Sequence, residues 1–164
     1  MTIELDTART DTRIPAPQGT VSIGRPAFRV AVAGDAVAQT FPIVVRRETL
    51  REAQRARSLL RAGAHDQARF VVALEIEVAI APQAATARAA VAEVAGTESD
   101  TIRYIGTTHG LITLLRDVYA AEVADAVILV PLDGPATESR IREQVLPHFG
   151  ADGDASGDLR HRVA

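Results

Sequence analysis

Two glutamates, Glu75 and Glu77, stand two residues apart inside the apolar run Phe70–Ile80. Positions i and i+2 of an extended strand share a face, so both carboxylates point the same way. Such a pair can serve as general acid and base. It can equally form ion pairs, and Arg29 has matching parity on the run Ala27–Ala33. Arg46 and Arg47 directly follow a second apolar run, Phe41–Val45. Guanidiniums at the carboxyl end of a parallel strand suit phosphate or carboxylate, or simply charge a loop. Gly106-Thr107-Thr108-His109 reads as a helix start, where free N–H groups either take an anion or are capped by a threonine. Asp133 closes the apolar strand Val127–Val130 just before Gly134, as a rim residue or a turn residue.

Other chemistries lack their residues. The 164-residue chain has no cysteine, and all 18 of its basic residues are arginine. Thiolate metal sites, lysine Schiff bases and the P-loop lysine are thereby excluded. The histidines, at 65, 109, 148 and 161, show no metal-binding spacing, and neither GxSxG nor GxGxxG occurs. A net charge of −3 gives no electrostatic footprint for nucleic acid. No apolar run is long enough to span a bilayer, and the first residues carry no apolar signal core. A cytoplasmic protein without nucleic-acid or membrane partners is expected.

The elements that must position these groups alternate. Ala27–Ala33 is a buried strand that turns at Gly34-Asp35, and Ala36–Thr40 reads as a short helix. After the strand Phe41–Val45 comes a helix over Glu48–Ala62, with Leu50, Ala53, Ala56 (or Arg57) and Leu60 at helical spacing and Gly63 as its stop. Phe70–Ile80 has a period of two and is the longest strand. Helices follow at Ala84–Ala95 and His109–Val123, with Glu98–Ile105 between them fitting neither pattern. The strand Val127–Val130 and a helix over Thr137–Phe149 complete the series. Strands alternating with helices predict an α/β fold with a parallel sheet of four strands. Residues 1–24 read as an irregular arm, 25–150 as the folded domain and 151–164 as a disordered tail.

In order and spacing these segments resemble the C-terminal half of the luciferase-like monooxygenases, a family of flavin-dependent (β/α)8 barrels. The similar stretches are Val30-Ala31-Val32-Ala33-Gly34-Asp35, the strand Phe41–Val45, Glu48-Thr49-Leu50-Arg51-Glu52-Ala53, Ile80 to Arg88, Gly106-Thr107-Thr108-His109-Gly110-Leu111, Ala124–Leu129 and Val145-Leu146-Pro147. The resemblance implies half of a TIM barrel, equivalent to strands 5–8, where a complete barrel has eight βα units. It implies an oxidoreductase subunit using FMN or a deazaflavin, with Gly34, Arg46, Arg47, Thr107 and Asp133 against the cofactor or a small-molecule substrate. It also implies a partner that completes the barrel, either a second copy or a separate N-terminal half-barrel. The alternative is a non-catalytic, truncated relative that binds flavin or a partner. The chain departs from the family after Gly34: Asp35-Ala36 offers no hydroxyl to a flavin phosphate, and an aspartate there repels one.

Overall fold

The structure, a computed structural model, describes residues 25–94, 96 and 98–150. The expected arm, tail and end of the alanine-rich helix lie outside those residues. The elements in chain order are β1 (Arg29–Val32), the single turn α1 (Ala36–Gln39), β2 (Ile43–Val45), α2 (Leu50–Ala62), β3 (Val72–Ile80), α3 (Ala84–Val94), β4 (Ile102–Gly106), α4 (Thr108–Ala120), β5 (Ala126–Pro131) and α5 (Pro135–Arg140). After α5 the chain continues through a π turn (Ile141–Val145) and a 3-10 turn (Leu146–Phe149).

β3 is the hub of the sheet. Among the described residues all four strand pairings are parallel, and β3 takes part in three of them. The order is β1-β5-β3-β2, with β4 also against β3. On one side β5 runs along Ala73–Val78. On the other, β2 covers Val72–Leu74 and β4 covers Ile76–Ile80, so two short strands stand end to end against one long one. The fold is therefore α/β, built of parallel βα units. β2, β3 and β5 stand side by side, while β4, which lies between β3 and β5 in the chain, pairs with the other side of β3 beside β2. β1 lies on the far side of β5 from β3.

The alternation in β3 sets its two faces. Val72, Leu74, Ile76, Val78 and Ile80 are completely buried. They pack with Ala53 of α2, Leu111, Ile112, Leu115 and Val118 of α4, and Ile141 and Val145 of the π turn. Each such side chain contributes about 1.5–3 kcal/mol by leaving water, and Ile76→Ala in this layer costs about 2–5 kcal/mol. The opposite face holds a smaller cluster of Ala31, Phe41, Val71, Ala73, Ala126 and Ile128, joined by Ala38 of α1.

Three expectations change. The ambiguous stretch before α4 is a fifth strand, β4. Its alternation is masked because Arg103 faces Glu77 across the pair, so a charged residue sits where a simple pattern has an apolar one. In α2, Ala53 and Arg57 are the buried residues, whereas Leu50 and Leu60 are 38% and 37% exposed. The helix expected over Thr137–Phe149 starts earlier and changes pitch twice. Pro147 has no N–H for the carbonyl four residues back, so regular α geometry cannot run through it.

Candidate functional site

The face of β3 opposite the main core carries the carboxylates. Glu75 and Glu77 do point the same way, and each meets a guanidinium. Arg46 approaches Glu75 at 3.0 Å and Asp100 at 2.6 Å. The Arg103 Nε donates to Glu77 at 2.8 Å, and the Ser99 hydroxyl donates to the same carboxylate at 2.8 Å. The hydrogen bond to Asp100, aided by the charge of Glu75, holds the Arg46 guanidinium above the usual arginine range. Arg29 shares the face but lies over the Phe41 ring, 5.1 Å from its centroid.

Two adjoining hollows open beside this cluster, of about 690 and 530 Å3, and share Arg46, Glu48 and Asp100. Arg47 and Arg55 line the smaller one, and Glu77, Glu98 and Ser99 the larger. Among the described residues, five carboxylates and three guanidiniums line the two together. A phosphate entering here meets more negative than positive charge. Arg47 spends a donor on the Arg46 carbonyl at 2.6 Å.

The five residues expected at a flavin site are not brought together. β2 pairs with the first third of β3, so Arg46 follows a residue level with Leu74. Thr107 follows Gly106, which is level with Ile80. Six residues of strand separate those levels, roughly 20 Å at ~3.3 Å per residue. Thr107 is the N-cap of α4, and its hydroxyl accepts from the Gly110 N–H at 3.3 Å. Gly106 makes room for a neighbour rather than a ligand: a Cβ there would stand 2.6 Å from the Tyr104 hydroxyl, which donates to the Thr107 carbonyl. Gly34 is in an exposed turn after β1 with φ +91°, a conformation that side chains resist. Asp35 beside it makes a two-pronged pair with Arg142 at 2.8 and 3.0 Å. That hydrogen bonding holds the Asp35 carboxyl below its ordinary value.

Asp133 is different. Its Oδ1 is buried and has no hydrogen-bond partner among the described residues. It lies just beyond β5 at the carboxyl edge of the sheet, before Gly134, which has φ +72°. A buried carboxylate oxygen accepts readily from a ligand O–H or N–H. Over β3, however, α5 covers that edge. The Ile80 N–H donates to the Thr137 hydroxyl at 2.9 Å, and Arg140 donates to the Ile80 carbonyl at 2.9 Å. One chain thus offers a lone acceptor at Asp133 and guanidiniums at a distant level. The residues do not form a single flavin site, and no chemical step through a flavin follows from them.

Sequence reading missed Arg103, Ser99 and Asp100, which meet the glutamates only once β4 is paired. It also missed Asp125. That carboxylate is fully buried at the opposite end of the sheet, bound by Arg57 at 2.9 and 3.0 Å, Arg61 at 3.2 Å and the Val72 N–H at 3.1 Å. The visible signal was an arginine, Arg57, at core spacing in α2. Among the described residues, no cluster of His, Asp and Glu could hold a metal ion, and no helix is long and apolar enough to cross a membrane. Neither a protein-family model nor a curated protein matches the chain.

Proposed function

We propose that the chain is a subunit of a luciferase-like, flavin-dependent oxidoreductase whose site is completed by a second chain, either another copy or a separate N-terminal half-barrel. The observation that carries this reading is the buried, unpartnered Asp133 Oδ1 at the carboxyl edge of β5. In barrels and open parallel sheets that edge is where ligands bind. FMN or a deazaflavin would supply the redox chemistry, and the protein would hold and orient it. The test is titration of the purified chain with FMN, followed by visible absorption, with sedimentation in parallel. A spectral shift confined to an associated species, and lost in Asp133→Ala, is expected. A flavin spectrum unperturbed in the associated species would end the proposal.

A second reading, a non-catalytic module that binds flavin or a partner, is favoured by one observation. Both carboxylates on this face of β3, Glu75 and Glu77, are paired with guanidiniums. Flavin binding with no change in the rate at which added reduced flavin is reoxidised by dioxygen would select this reading over the first.

A further inference from the structure

A cleft of about 400 Å3 runs along the open edge of β1, lined by Arg29, Val30, Ala31, Val37, Leu146 and Phe149 among others. It is a small-molecule volume. Its walls come from both faces of the sheet. Leu146 and Phe149 belong to the layer around the main core, and Ala31 to the smaller cluster opposite. Phe149 is braced edge-on by Phe28, with ring centroids 5.7 Å apart, so this wall is formed before any ligand arrives.

One guanidinium, Arg29, and one carboxylate, Asp35, line the cleft. Arg29 is exposed, and among the described residues no carboxylate pairs with it. Two hydrogen bonds commit Asp35 to Arg142. The cleft therefore presents an apolar floor with a guanidinium at its mouth. We propose that it binds a small carboxylate with an apolar body, the carboxylate on Arg29 and the body against Val37, Leu146 and Phe149. A guanidinium takes a carboxylate through two parallel hydrogen bonds, and the apolar lining rewards a chain or ring behind it.

A peptide strand is the weaker occupant. The Ala33 N–H bonds to the Leu129 carbonyl, so alternate residues of β1 turn toward β5 and Val30 and Val32 turn outward. The Val32 carbonyl already accepts from the Asp35 N–H at 3.1 Å. Within β1, and among the described residues, Val30 alone keeps both backbone groups for a newcomer, too few to hold a strand.

The inference does not depend on flavin binding, and its test needs none. The fluorescent aromatic anion 8-anilinonaphthalene-1-sulfonate is bound to the full chain, then displaced with octanoate or with 1-octanol. Octanoate should displace it at lower concentration than the alcohol. Arg29→Gln should weaken octanoate about tenfold or more while leaving the alcohol unchanged, the scale of one lost charged hydrogen-bonding partner. Val37→Asp, at a position already half exposed, should repel octanoate more than octanol. Far-UV circular dichroism checks that both variants keep the fold. Equal competition by acid and alcohol, an unchanged octanoate affinity in Arg29→Gln, or no displacement by octanoate would overturn the proposal.

Discussion

Asp125→Asn should be the most damaging isosteric change in this chain. Asp125 has no exposed surface, and the side chains of Arg57 and Arg61 around it are 7% and 11% exposed. Together they tie α2 to the amino ends of β3 and β5. Asparagine keeps the shape but removes the charge, taking from both guanidiniums the buried carboxylate they share, while Arg57 keeps the more exposed Glu122 at 3.8 Å. Breaking a buried pair on one side costs about 3–5 kcal/mol, a large part of the ~5–15 kcal/mol that keeps a domain folded. At roughly 3 °C per kcal/mol for a chain of this size, the melting temperature should fall by about 10–15 °C. Urea unfolding followed by far-UV circular dichroism reads this as a lower midpoint at an unchanged slope. Asp66→Asn is the control, because its Arg69 partner is 90% exposed and water already screens the pair. A loss below about 1 kcal/mol in Asp125→Asn would refute the reasoning, since it would mean that water or relaxation replaces the carboxylate at little cost.

Two further outcomes follow from the rim. The Asp35 carboxyl is held below its ordinary 3.8 by the Arg142 hydrogen bonds. A depressed folded value means that stability from this group is present above pH 3.8 and is lost as pH falls through the lower value. Wild type should therefore be more stable than Asp35→Asn at neutral pH, and the difference should vanish in acid; a gap that persists at the lowest pH would point to packing instead. Thr107→Ala should lower stability by about 1 kcal/mol through loss of the cap on α4. It should leave any flavin titration unchanged, whereas a weaker flavin affinity in that variant would restore Thr107 as a ligand contact.

The local rules were legible because they are local. The period of two in Phe70–Ile80 reveals both faces of β3, and the threonine before the apolar spacing of α4 reveals its cap. Neighbour relations are another matter. Nothing in Ala27–Ala33 says that β1 will stand against β5 rather than β2, since that choice rests on contacts almost a hundred residues apart. The site reading failed for the same reason. It assumed that all strands end at one level, but β2 stops against Leu74 while β3 runs on to Ile80. Arg46 thus lies beside Glu75 and away from the edge that Thr107 and Asp133 share.

The end-to-end placement of β2 and β4 leaves a seam. Val45 is level with Leu74 and Ile102 with Ile76, so Glu75 alone lacks a strand partner on that side of β3. Side chains bridge the gap: the Thr101 hydroxyl donates to the Glu75 carbonyl, and Arg46 reaches from the end of β2 to the Glu75 carboxylate and on to Asp100. A seam closed by side chains divides the edge into two segments that can open separately. Under native conditions the amides of β4 should exchange with solvent through local openings that leave β2 and α2 closed, and the paired β3–β5 centre should exchange last.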